Sequence, residues 1–332
     1  MRYKRMEKIF KMNQSKLKGY LQKQLVSHYG IENVFNQEKY LLACGETDVM
    51  LVAHLDTVFK EVPNLIIFDA QKNIMTSPQG LGADDRAGVI SILSIIESGH
   101  KPYILFTNDE EIGCIGARDF ANDIEDFIEL RNKLSEIKYM IELDRTGKDD
   151  AVFYDCGNIE FQNYILSFGF KHDFGSFTDI TEISPVLDIA SVNLSCGYYN
   201  AHSKNEYLKL NEMQATIDKV INILNDSENV PQFKFEEVVK KYTKYSKYNY
   251  LYDSYYEDNF YSEKEKSSKG KTSITAKSNS KICDVCGSKI DVNFDSYSEC
   301  YLCSVCQDYF SNDYFTKQEE ELNRLESKFN DW

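Results

Sequence analysis

The residues able to do chemistry sit in short polar segments that each close an apolar run. His54 and Asp56 lie in "AHLDT", Asp84 and Asp85 in "GLGADDRAG", Glu110 and Glu111 in "TNDEEIG", Asp144 in "ELDRTG" and His202 in "NAHSKNE". Two imidazoles and several carboxylates at loop positions are the donor types that borderline divalent metals such as zinc select. Two such ions sharing one carboxylate activate water and stabilise the developing oxyanion in hydrolysis. Taken singly, each piece has a plainer reading. A lone His is more often a satisfied polar residue, an acid pair solvates a loop, and Asp84 or Asp85 could cap a following helix. "GLGADDRAG" does not complete the Gly-x-Gly-x-x-Gly of a phosphate-binding turn. Taken together, at the ends of predicted strands, the segments read as a hydrolytic metal site.

Local chemistry divides the tasks. Adjacent residues leaving a strand point to opposite sides, so one of Glu110 and Glu111 can bind metal while the other holds the attacking water. The spacing of His54 and Asp56 places a carboxylate where it can fix the imidazole tautomer. The glycine of "DDRAG" reads as a short turn that lets backbone approach the metals. Asp109 reads as a solvated loop acid, and Asp85 takes no metal role.

These segments need a scaffold. Apolar runs of strand length occupy 40–45 ("YLLACG"), 49–56 ("VMLVAHLD"), 103–107 ("YILFT") and 139–144 ("YMIELD"), and 86–99 ("RAGVISILSIIESG") suits a buried helix. A strand at 190–199, a helix from Ser15 to His28 closed by Gly30, and a helix from about Glu212 to Leu224 capped by Asn211 extend the pattern. The alternation predicts an α/β fold, a three-layer sandwich with a mixed, mostly parallel central sheet flanked by helices. Ligands of such sheets sit beyond the strand C-terminal ends, where these acids fall.

In order and spacing the segments resemble the co-catalytic dinuclear zinc exopeptidases, a group that includes peptidase T, carboxypeptidase G and the leucyl and glutamyl aminopeptidases. The resemblance spans about residues 16 to 224. It implies that His54 is a ligand of one ion, oriented by Asp56, that Asp84 bridges, that Glu110 is the general base and Glu111 a ligand of the second ion. Asp144 would complete the first site and His202 the second. It also implies two zinc ions and a small peptide substrate, with an amidohydrolase or deacylase of N-acylated amino acids as the alternative. Many relatives insert a lid or dimerisation domain between the first His and the bridging Asp, or between the third acid and the last His. Here those spans are 30 and 58 positions, too short for a domain. A bare, aminopeptidase-like catalytic domain follows, with Tyr198, Tyr199 or the stretch 175–179 ("GSFTD") as candidate oxyanion donors.

The 332 residues are 42% hydrophobic with a formal net charge of −15, which supports a sizeable core and disfavours a nucleic-acid partner. No apolar run approaches the roughly 18 residues of a membrane span, and the basic start lacks the apolar core of a signal peptide. A cytoplasmic protein without membrane contact is expected. Composition divides the chain into a catalytic domain over 1–225, a Tyr/Lys/Ser-rich linker over 226–280 and a small domain over 281–332. In the last, Cys283 and Cys286 form one C-x-x-C and Cys303 and Cys306 another, the spacing of a zinc ribbon. Cys300 with Cys303 offers an alternative second pair. Four thiolates make a structural zinc site, so a protein partner through the ribbon or the tyrosine-rich segment is the non-catalytic alternative.

Overall fold

Alternation along the strands builds the core. The computed structural model describes residues 3–238, 292–295 and 300–303, and the chain divides into two units, Met1–Leu251 and Tyr252–Trp332. In the first, β1 (Val34–Asn36), β2 (Tyr40–Ala43) and β3 (Thr47–His54) precede the hairpin strands β4 (Ile67–Asp69) and β5 (Ile74–Thr76). β6 (Pro102–Thr107), β7 (Tyr139–Arg145), β8 (Asp150–Val152), β9 (Lys171–Asp173) and β10 (Ser191–Ser195) follow, then β11 (Tyr198–Tyr199) and β12 (Tyr207–Lys209). The main sheet has eight strands in the order β1-β2-β6-β3-β7-β10-β8-β9, and its four central strands are parallel.

Val49, Leu51 and Ala53 of β3 face one side of this sheet while Met50 and Val52 face the other; Ile104 and Phe106 oppose Tyr103 and Leu105 on β6 in the same way. Burial on both faces is why these strands read as continuous apolar runs. One face is covered by α1 (Tyr3–Phe10), α2 (Gln14–Tyr29), α3 (Ala83–Glu97), α6 (Ile159–Ser167) and α8 (Leu210–Asp226). The other carries α4 (Ile115–Asp126), α7 (Asp179–Leu187) and the end of α5 (Ile128–Leu134). The expected three-layer sandwich with a mixed, mostly parallel sheet is the observed fold.

Several local details differ from expectation. The strand expected over 190–199 breaks at Gly197, whose φ is 81° and where a Cβ would stand 2.6 Å from the Met213 backbone nitrogen, so only glycine fits. Its second half joins the small sheet β11-β12-β5-β4. Asn211 does not cap α8, which starts at Leu210; the Asn211 side chain accepts from Asn73 instead. Gly88 is no turn: it lies inside α3 where that helix touches β7.

The span from His54 to Asp84 holds only the β4–β5 hairpin, and that from Asp144 to His202 holds β8, α6, β9, α7 and β10 of the sandwich. The packed chain runs past the expected boundary at residue 225. Phe233 is buried among Tyr139, Phe161 and Tyr164, and its backbone bonds to Lys138 and Ala190. In the second unit β13 (Val292–Asp295) pairs antiparallel with β14 (Cys300–Cys303), Val292 opposite Cys303. Cys283, Cys286, Cys306 and residues 239–280 lie outside the described residues. Among the described residues no helix is long and apolar enough to cross a membrane.

Candidate functional site

Parallel β3, β6 and β7 end at the same edge of the sheet, so they deliver His54, the Glu110–Glu111 loop and Asp144 to one place. Asp84 arrives on the first turn of α3, and His202 on the loop between β11 and β12. The seven residues expected in the catalytic site, Asp56 among them, come together. Asp84 Oδ1 lies 3.1 Å from His54 Nε2, and Asp84 Oδ2 lies 3.1 Å from His202 Nε2. His202 Nε2 is also 3.1 Å from Glu111 Oε2, while His54 Nε2 is 3.5 Å from Asp144 Oδ1 and 3.9 Å from Glu110 Oε2. One carboxylate thus faces two imidazoles, with a further acid beside each. Four N and O ligands at about 2.0–2.1 Å from a tetrahedral zinc stand roughly 3.3 Å apart, so these separations fit ligands of shared ions. Glu111 Oε1, buried and without a hydrogen-bond partner, leaves a carboxylate oxygen of this residue unused.

The electrostatics are those of crowded acids. Burial opposes charge on His54, but Asp144, Asp56 and Asp84 outweigh it and hold its pKa well above the usual histidine value. Hydrogen bonds to Asp84 and Glu111 push His202 up to about 10. Asp84 runs the other way: burial works against its charge, yet His202 and His54 hold it below the usual carboxylate range. Burial, and then Asp84, raise Asp144 strongly. Burial lifts Glu110 to about 7; His54 opposes the rise, and Asp179 and Glu111 add to it.

Residues 38–165 match the model of peptidase family M28. The matched segment is that of a metallopeptidase, a metal-dependent hydrolase. It contains His54, Asp56, Asp84, Glu110, Glu111 and Asp144, with His202 beyond its end. Similar solved structures include the aminopeptidase PepT of Bacillus cereus, at 16% identity and a TM-score of 0.54, covering 68% of this chain and 97% of that one. A tripeptidase of Staphylococcus aureus is similar at 14% identity and a TM-score of 0.54, with 68% and 97% covered. An aminopeptidase of the archaeon Desulfurococcus kamchatkensis follows at 14% and 0.50, with 72% and 98% covered. At these identities the likeness is one of fold. No curated protein sequence matches the chain.

Within the metallopeptidase domain, residues around the ligands hold them in place. Asp56 accepts from the N–H groups of Glu110 at 3.0 Å and Glu111 at 3.1 Å and meets His54 Nδ1 at 3.2 Å. Asp144 is met by the Tyr198 hydroxyl at 3.3 Å and by the Thr178 hydroxyl at 3.4 Å, and Tyr199 bonds to Glu212. These hydroxyls, candidate oxyanion donors by sequence, are therefore engaged in holding acids. Asp109 is not a solvated bystander: at φ 60° its carboxylate accepts from Gln14 at 3.0 Å and Lys39 at 3.1 Å, which fixes the backbone just before Glu110.

Three supporting residues escaped sequence reasoning. Asp85, fully buried, accepts from the His54 and Gly88 N–H groups at 3.2 and 2.8 Å. Its oxygens also lie within 4.8 Å of donor atoms of His54 and Asp144, but the backbone bonds already hold them. Buried Arg86 donates to the carbonyls of Leu55, Asp56 and Met12. Glu206 accepts from the turn that carries Asp84. Only the Asp85 bond to the Gly88 N–H, three residues on, is the local capping contact that the sequence offers; no local motif marks the other roles, because their partners are remote in sequence.

Proposed function

We propose that the chain is a zinc-dependent exopeptidase, aminopeptidase-like, that hydrolyses small peptides. His54, Asp84 and Asp144 would hold one ion, and Asp84, Glu111 and His202 the other. The observation that carries this reading is the division of Asp84, one oxygen toward each histidine at 3.1 Å. Ions bound there would polarise the scissile carbonyl and ease deprotonation of the attacking water. Glu110 takes the proton of that water and gives it to the leaving amine as the C–N bond breaks. Its carboxylate lies 3.9 Å from His54 Nε2, beside the place where the ions and their water would sit. Asp56 keeps Glu110 and Glu111 apart in their two tasks through the two backbone N–H groups it binds. The short spans between ligand segments, free of any inserted domain among the described residues, support the aminopeptidase-like assignment.

The same proposal extends to the C-terminal part, where Cys283, Cys286, Cys303 and Cys306 take one structural zinc and the ribbon contacts a protein partner. A cytoplasmic setting accords with four buried free thiols, Cys44, Cys114, Cys156 and Cys196. Replacing Glu110 by Gln tests the catalytic assignment. Turnover should fall by about 10²–10⁴-fold while elemental analysis still finds the two catalytic-site ions, and retained turnover rejects the assignment. A panel of free-amine and N-acylated peptides separates an aminopeptidase, which needs the free amine, from a deacylase.

A further inference from the structure

His54 and Asp144 are placed by neighbouring strands of a hydrogen-bonded sheet, β3 and β7, so their separation is set by the ladder. His202 has no such support. It lies on a loop of the small sheet at φ 61°, with its side chain 55% exposed, while Asp84 comes from a different element. What joins them is Glu206, four residues after His202 and fully buried. Its carboxylate accepts from the backbone N–H groups of Gly82, Ala83 and Asp84, the last at 3.2 Å. Its own backbone is pinned as well: its N–H donates to the Ser203 carbonyl and its carbonyl accepts from the Thr76 hydroxyl, both at 3.1 Å. Successive N–H groups converging on one anion are strong, direction-setting contacts. Gly82, at φ 69°, supplies the turn that aims them.

We infer that Glu206 is a positioning residue that sets the distance between Asp84 and His202 and thereby tunes one ion site, that of Asp84, Glu111 and His202, more strongly than the other, which shares only Asp84 with it. The inference rests on the two-ion reading proposed above. Glu206 itself is no ligand, since its oxygens are directed at backbone donors. Replacement by Gln keeps the shape but removes the charge and turns an N–H₂ toward backbone N–H groups, which loosens the link without opening a cavity.

The test titrates the metal-free full chain at pH 8, where Glu206 is ionised, with Mn²⁺, an ion that carboxylate-rich sites accept and thiolate sites do not, by calorimetry. The wild-type chain should take up two ions. Glu206→Gln should weaken one binding step by about 10–100-fold and the other, which shares only Asp84, much less, and the paramagnetic signal of coupled Mn²⁺ pairs should fade at ion concentrations that saturate the wild type. Far-ultraviolet circular dichroism confirms that the variant is folded, and Glu206→Asp, which keeps the charge, should recover part of the weakened step. Equal weakening of both steps, or no change in either, overturns the inference. A wild-type chain that takes up no second ion overturns the two-ion reading itself, and that failure is recognisable without any variant.

Discussion

Asp56 serves three groups with two oxygens: His54 Nδ1 and the Glu110 N–H share Oδ1, and the Glu111 N–H takes Oδ2. Burial works against its charge, but these contacts, that with His54 foremost, hold its pKa below the usual carboxylate value. An asparagine has one acceptor oxygen and must turn its N–H₂ toward a donor, so it can satisfy one side only. Asp56→Asn should therefore lower metal affinity or kcat by about 10–100-fold with little change in Tm, as read by metal titration and steady-state kinetics. Unchanged values for both would remove Asp56 from the machinery. The contrast with Asp109 shows what residue types reveal. The ligands were legible because histidines and acids recur at strand ends. Asp109, Asp85, Arg86 and Glu206 were not, because their functions are bonds to Gln14, His54, Met12 and Gly82, which only the fold brings near.

At the scale of elements, the central strands were legible for a physical reason: both faces are covered, so β3, β6 and β7 each carry an unbroken apolar stretch, 49–53, 102–106 and 139–141. The edge strands β1 and β9, and β8 beside β9, have three residues each and carry no period long enough to read. Helix α1 was missed because it buries only Met6, Ile9 and Phe10 among charged neighbours. Gly88 links element packing to the site. A Cβ there would stand 2.0 Å from the Leu143 carbonyl and 2.5 Å from the Asp85 carboxylate, so α3 approaches β7 only because the residue is glycine. Since α3 carries Asp84 and β7 carries Asp144, Gly88→Ala should push the two ligands apart. The expected outcome is a loss of about 1–3 kcal/mol of stability in urea unfolding, with weakened metal binding. A fully stable variant with unchanged metal affinity would show that the two elements can separate without disturbing the site.

At the scale of the whole molecule, folding concentrates acids that only cations can relieve. Burial raises Asp85, Glu142 and Asp144 well above the usual range, lifts Glu110 and Glu206 to about 7 and Asp179 to about 6. Each keeps a proton on folding that the unfolded chain has already lost. Between about pH 4 and 7 the folded, metal-free protein therefore binds more protons, and its stability falls as pH rises. His54 and His202, also raised, act with the same sign above about pH 6.5, where the unfolded chain releases their protons. The lowered carboxyls of Asp56 and Asp84 act oppositely, but only below about pH 4. Metal binding requires deprotonated ligands and so strengthens as pH rises. An ion present at about 100 times its Kd adds about 2.7 kcal/mol to folding. The Tm gap between zinc-loaded and chelator-treated protein should accordingly widen from pH 5.5 to pH 8 in scanning calorimetry, mainly because the metal-free form melts earlier. A gap that stays constant or narrows over that range would mean that the acids at the strand ends are not neutralised by bound metal.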